Sequence, residues 1–251
     1  MIKFFRKIRQ KMLTENKFSK YFLYAIGEII LVVIGILIAF WINNWKEEKI
    51  NERIETVFLE DFRSDLKTDT QTLKERIKKN TEILNDVDSI LLTLSNKNQL
   101  SKKDLFKFYN QNLSLTTESY FIPEKTTINQ FEANSNGHLI SSKKLKDWLF
   151  KYYSTNERIE NNVEKSIQLY QHNFITKEII QAILGGDIME NIVGSDFGRP
   201  DLDLNNLRQN SEYLFSLLAK KAGTNNQNKA YQRIIDSAEE LIILIDLEIK
   251  E

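Results

Sequence analysis

Glu28 is the residue whose type and position carry the most chemistry. It is the single charge in the stretch Tyr21–Ile42, YFLYAIGEIILVVIGILIAFWI. An ionised carboxylate within hydrocarbon costs about 2.5 kcal/mol or more, so the group must be protonated, paired or turned toward protein. At 100° per residue, Gly35 and Ala39 fall within about 20° of Glu28 on a helix. Gly35-Ile-Leu-Ile-Ala39 is also a small-xxx-small pattern, which lets two helices approach closely. The spacing predicts a helix–helix interface on Glu28, Gly35 and Ala39, formed with a second copy or with a partner subunit. Ile29, Ile30, Val33, Ile36 and Leu37 would then face lipid. The competing reading has Glu28 reaching toward the headgroups to pair with Lys17 or Lys20.

Elsewhere the chain offers little reaction chemistry. Its two histidines, His138 and His172, have no metal-ligand spacing, and no HExxH, GxSxG or phosphate loop occurs. Cysteine is absent, which removes disulfides and thiolate metal sites. Asp201, Asp203, Asn205, Gln209 and Glu212 fall on oxygen-ligand positions of a calcium loop. The loop's glycine position is Asn206 and its aliphatic position is Arg208, so a helix N-cap at Asp203 or Asn205 is the simpler account. No enzyme activity, cofactor or metal is therefore expected.

The element that positions Glu28 must be a helix. Twenty-two residues at 1.5 Å each rise roughly 33 Å, about one hydrocarbon thickness. Residues 1–20 carry Lys3, Arg6, Lys7, Arg9, Lys11, Lys17 and Lys20 against Glu15 alone, whereas the residues just after the stretch are balanced. The positive-inside rule then assigns residues 1–20 to a cytoplasmic basic arm, 21–42 to a transmembrane helix and 43–251 to the far side. Phe5, Ile8 and Met12 share one face of the arm, as in a basic amphipathic helix lying on an anionic inner leaflet. Tyr21 and Tyr24 at the near boundary, with Trp41 and Trp45 at the far one, are placed as interfacial anchors. A cleaved signal peptide is disfavoured, because the apolar run is too long and no small-x-small site follows it. Residues 43–251 hold 28 cations against 33 anions with no basic, aromatic-interleaved patch, so nucleic acid is not an expected partner.

The N-terminal residues carry a resemblance. The FFRKIRQ arm, the ENKFSKYFLYAIGE entry and the LVVIGILIA–INNW core resemble the N-terminus of an uncharacterised family of small single-span membrane proteins from Bacteroidota. The family pattern has Asn-Glu after INNW, where Lys46-Glu47 stand here. Weaker echoes occur at Gly137-His138-Leu139-Ile140 and Tyr152-Tyr153. The resemblance implies a bacterial inner-membrane protein, and with the orientation given by the charge bias the far side is then the periplasm. It implies no activity.

Beyond the stretch the predicted fold is all-α, an extracytoplasmic bundle of long amphipathic helices. With two prolines and eight glycines, the chain has few helix breakers. Ile50, Ile54, Val57, Phe58, Phe62, Leu66, Leu73, Ile77, Leu84, Val87, Leu91 and Leu94 predict one long amphipathic helix. It is either continuous with the span or broken near Lys67–Thr70. Ser101 with Asp104 marks a helix start, and a helix is expected through Leu113. Residues 113–140 read as irregular, with a short helix near Thr127–Phe131. Ser141 or Ser142 begins a helix whose stripe, Leu145, Leu149, Tyr152, Asn156, Ile159, Val163, Ile167, Tyr170 and Phe174, runs toward Leu184 and reads as core; Trp148 lies one position off it. A helix over about 206–221, a turn at Gly223-Thr-Asn-Asn-Gln and a last helix from about Asn226 predict a final antiparallel pair.

Three functions fit these features. The first is a structural or protein-interaction module that self-associates or binds another envelope membrane protein through Glu28, Gly35 and Ala39. The second is an accessory subunit of an ion-driven membrane complex, with Glu28 carrying protons. The third is a periplasmic ligand sensor.

Overall fold

The computed structural model describes residues 18–96, 99–133, 139–184 and 203–250. Among them are seven helices and no strand. These are α1 (Phe18–Ser95), α2 (Lys102–Leu113), α3 (Thr126–Ala133), α4 (Lys143–Phe174), α5 (Lys177–Leu184), α6 (Leu204–Gln209) and α7 (Ser211–Glu248). The all-α class expected from the sequence is observed. The chain divides into two compact units, Met1–Thr56 and Val57–Glu251.

In the first unit, α1 carries the apolar stretch. From Ile29 to Ile42 every residue is exposed, including Leu31 at 71% and Trp41 at 69%. Among the described residues α1 is the one helix long and apolar enough to cross a membrane.

The second unit is a bundle whose long elements are α1 from Val57 onward, α4 and α7. Arg63 pairs with Asp246 at 2.8 Å, Lys74 with Glu239 at 2.9 Å, and Asp88 with Lys221, so α1 and α7 are antiparallel. Tyr152 meets Asp69, and Tyr170 lies beside Lys220 at the level of Asp88. Thus α4 runs parallel to α1 and antiparallel to α7.

The core forms two apolar clusters. One gathers Leu59, Phe62, Leu66 and Leu73 of α1 with Phe131 of α3, Leu149 of α4 and Ile235 and Leu241 of α7. The other gathers Ile83, Val87, Ile90 and Leu94 of α1 with Phe108, Leu115, Ile179, Tyr213 and Leu217. Between them lies a polar layer in which Asn80 donates to Gln227 and Asn228.

The fourth position of the first cluster is filled by α3 and by a strap with no regular structure, residues 117–125. Lys220 holds Thr117 at the level of Asp88, and Asp65 holds Thr127. Those levels are about 35 Å apart along α1 at 1.5 Å per residue. Ten residues cover about 33–36 Å when fully stretched, so the strap runs close to full extension.

Several elements match expectation. Ser101 accepts from the Asp104 N–H, and Ser142 accepts from the Leu145 N–H. The short helix in the irregular stretch is α3. On α4, Leu145, Leu149, Tyr152, Asn156, Ile167 and Tyr170 are buried as the stripe required.

Others differ. No break occurs near Lys67–Thr70; Asp69 and Thr70 are buried in a continuous helix. The inward row of α1 is Leu59, Phe62, Leu66, Asp69, Leu73, Asn80, Ile83, Val87, Ile90 and Leu94, spaced by three and four or their sum. Ile50, Ile54 and Val57 are exposed, and Leu84 and Leu91 only half-buried. An apolar-only reading passes over Asp69 and Asn80, and without them to fix the register it takes Leu84 and Leu91 where their neighbours Ile83 and Ile90 face inward. The long helix expected to reach Leu184 stops at Phe174, because Thr176 starts α5 by accepting from the Ile179 N–H. The expected turn at Gly223 does not exist. Helix α7 passes straight through, with Thr224 buried, Gln227 bonded to the strap and Asn228 to Asn80. Tertiary bonds here outweigh the turn preference of Gly, Thr and Asn. The stop expected at Gly185-Gly186 and the helix end at Gly137 lie outside the described residues.

Because Gly223 is helical and a Cβ there meets nothing within 4 Å, Gly223→Ala should stabilise the protein by about 0.5–1 kcal/mol. Thermal melts decide it. A chain turn at Gly223 would give the opposite sign.

Candidate functional site

Two regions hold side chains capable of chemistry, the apolar segment of α1 and the polar interior of the bundle. On α1, Glu28 is half-buried, while Gly35 and Ala39 are exposed on the same side of the helix. A Cβ built on Gly35 meets nothing within 4 Å, so this stripe has room for a closely approaching surface. Trp41 and Trp45 stand exposed one turn apart. Lys3, Arg6, Lys7, Arg9, Lys11 and Lys17 lie outside the described residues, as do the side chains of Lys20, Tyr21 and Tyr24.

The polar interior is built around the strap. An extended segment inside a helical bundle has no ladder partner, yet its buried N–H and C=O groups must be paired. Side chains of α1 and α7 do this, and α4 supports one of them. The Glu124 N–H donates to Asp69 Oδ1 and the Tyr152 hydroxyl to Oδ2, both at 2.8 Å. The Thr127 N–H, at the start of α3, donates to Asp65 Oδ2 at 3.3 Å, so an acid of α1 caps that helix. Gln227 Nε2 and the Tyr231 hydroxyl both donate to Ser119 O, at 2.7 and 2.9 Å. Lys220 Nζ donates to Thr117 O at 2.6 Å and to Glu118 Oε1 at 2.9 Å. Buried Pro123 has no N–H that needs a partner.

Burial pushes the Asp69 carboxyl up to about 6, against the hydrogen bonds from Glu124 and Tyr152 that hold its ionised form. Burial also raises the Glu118 carboxyl and lowers the Lys220 ammonium, and their mutual attraction opposes both shifts. The Tyr231 hydroxyl is pushed up to about 12, again by burial. These groups are engaged in holding the strap: Asp69 accepts from its backbone, and Lys220 and Tyr231 donate to it.

Beside Lys220 lies a cavity of about 480 Å³ between α4 and α7. The lower part of the α4 stripe, Ile159, Val163, Tyr170 and Phe174, lines it. The sequence reading assigned those residues to core. What reveals the cavity is the facing row on α7, where Ala219, Gly223 and Ala230 are too small to fill the space.

His172 stands exposed on α4, and His138 lies outside the described residues. Asp203 caps α6 by accepting from the N–H groups of Asn205 and Asn206. Asn205 accepts from Arg208, which also donates to Leu94 O and Asn96 O at the end of α1. Of the oxygen donors considered for calcium, Asp203 is thus used in capping α6 and Asn205 in holding the arginine that joins α6 to α1; Asp201 lies outside the described residues. Among the described residues no three His, Asp or Glu side chains gather as metal ligands.

Residues 28–147 match DUF6090, a family of unknown function. The match begins at Glu28 and ends at Asp147, just under half of the chain. It takes in the Gly35–Ala39 stripe, Asp65, Asp69 and the whole strap. It excludes the basic arm on which part of the sequence resemblance rests, and it extends well past INNW. No curated protein and no solved structure matches the chain.

The Asp69 geometry gives a pH signature. Its carboxyl rises from 3.8 to about 6 on folding, so between those values the folded state keeps a proton that the unfolded state has released. Stability from this group is greatest at low pH, falls as pH rises through that window and is flat above it. Asp69→Asn can still accept from the Glu124 N–H and donate to the Tyr152 hydroxyl. It should therefore fold and remove a fall on the order of 3 kcal/mol from the wild-type curve between about pH 4 and 6. Asp69→Ala leaves both donors unpaired and should be less stable than Asp69→Asn by about 2–5 kcal/mol at every pH. Melts of the three proteins across that range test both statements.

Proposed function

We propose that the chain is a single-pass membrane protein whose helical unit is a structural and protein-interaction module. Residues 1–20 form a cytoplasmic arm on an anionic leaflet, 21–42 span the bilayer, and 43–251 lie on the opposite, periplasmic side of a bacterial inner membrane. The observation that carries this reading is the bare apolar segment of α1. From Ile29 to Ile42 every residue is exposed, a surface that only lipid or another protein would cover favourably. The charge bias of residues 1–20 supports the orientation.

Self-association is assigned to Glu28, Gly35 and Ala39. The space over Gly35 admits a second helix, and a Glu28 carboxyl facing that helix can hydrogen-bond across the contact and avoid lipid. Asp69, Lys220, Gln227 and Tyr231 are engaged in holding the strap, a structural use that supports the module reading.

Single cysteines test the interface in native membranes. The protein has no cysteine of its own, so each crosslink reports one position. Glu28→Cys, Gly35→Cys and Ala39→Cys should give homodimeric disulfides, while Val33→Cys and Leu37→Cys, on the far side of the helix, should not. Equal crosslinking at all five positions would sink the stripe. A heavier adduct in place of the homodimer would assign the stripe to a partner subunit. Glu28→Gln then separates glue from proton carriage, since an amide preserves a hydrogen-bonded contact and cannot carry a proton.

A further inference from the structure

The cavity between α4 and α7 lies in a gap in the core. Neither apolar cluster includes Ile167 or Tyr170 of α4, nor any residue of α7 between Leu217 and Tyr231. Its size, about 480 Å³, falls in the range of about 300–1,000 Å³ typical of small-molecule sites. Its walls and its ends differ in chemistry. Ile159, Val163 and Phe174 give hydrocarbon along α4, and Ala219, Gly223 and Ala230 give a low wall on α7. The outer rim carries the exposed polar side chains of Asn162, Ser166 and Asn226.

The inner end is polar and electrically balanced. Lys220 and Glu118 are the only charged residues lining the cavity among the described residues, and they are paired with each other. Lys220 is 4% exposed and Glu118 is 11%. The lysine is fully used: it donates to Thr117 O and Glu118 Oε1, and its ammonium lies 5.1 Å from the centre of the Tyr170 ring. On the glutamate, Oε1 alone is engaged among the described residues, which leaves Oε2 as an acceptor. Tyr170, 7% exposed, has a hydroxyl without a hydrogen-bond partner among the described residues. An added anion would find its only cation spent, and an added cation would compete with Lys220 for the one carboxylate. Either would be a charge desolvated without compensation.

We propose that this cavity binds an uncharged amphipathic small molecule, with a hydroxyl donated to Glu118 and hydrocarbon against Ile159, Val163 and Phe174. The site stands on the geometry of the bundle alone and does not require that α1 span a membrane.

The test uses the full chain in nanodiscs and three photoreactive ten-carbon probes with a mid-chain diazirine: decanol, decanoate and decylammonium. Crosslinked peptides are mapped by mass spectrometry. The decanol probe should label residues 159–174 and 219–230, and excess unlabelled decanol should displace it. The two ionic probes should label those peptides at least about tenfold less, as expected where an uncompensated charge costs 1.4 kcal/mol or more. Gly223→Leu places a side chain in the open space beside Gly223; it should abolish this labelling without lowering the melting temperature. Displacement in the unaltered protein keeps the result independent of that variant. Labelling confined to α1, labelling that decanol does not displace, equal labelling by all three probes, or full labelling of Gly223→Leu would each overturn the proposal. Labelling of residues 21–42 is read separately, as contact with the bilayer.

Discussion

The second unit depends on feeding an extended backbone into a helical bundle. A helix satisfies its own N–H and C=O groups, and a strap cannot. Each buried backbone group left unpaired would cost about 1–3 kcal/mol. The bundle meets this demand with Asp65 and Asp69 from α1 and with Lys220, Gln227 and Tyr231 from α7; Tyr152 of α4 holds Asp69 in turn. This one requirement explains the burial of Asp69, Lys220 and Tyr231. It also accounts for the split core, since the polar layer at Asn80 and Gln227 sits where the strap crosses between the two apolar clusters.

What the sequence disclosed and what it hid follow from the same constraint. Local signals were legible. Ser101 with Asp104, Ser142, the α4 stripe and the apolar face from Tyr231 to Ile245 each specify their element through neighbours three or four residues away. Asp69 and Asn80 were not legible as inward residues, because a polar side chain on a helix reads as solvent-facing unless its distant partner is known. The continuity of α7 was hidden for a related reason: Gly223-Thr-Asn-Asn-Gln has turn composition, and the bonds that keep it helical come from α1 and the strap. On α1, the shared side of Glu28, Gly35 and Ala39 was legible from spacing alone. The cavity was not, since it arises where small residues on α7 face large ones on α4 across 60 residues or so of intervening chain.

The family match bears on how these parts combine. Residues 28–147 include the strap and the acids of α1 that accept its N–H groups. The donors to its carbonyls, Lys220, Gln227 and Tyr231, lie beyond the matched region, as does Tyr152. The matched region therefore contains the element that makes the demand and only half of what answers it.

That division has a consequence for how the chain reaches its final state. The strap's carbonyl bonds join residues 103, 108 and 112 positions apart, and every one of them waits for α7, the last helix in the described chain. Helices α1 to α4 can form by local contacts as they are made, while Thr117 and Ser119 stay bonded to water. Closure of the bundle is then a single late event of high contact order, in which α7 arrives, expels that water and locks the strap. A ribosome that has released α4 but not α7 holds a chain with its helices formed and its centre still wet.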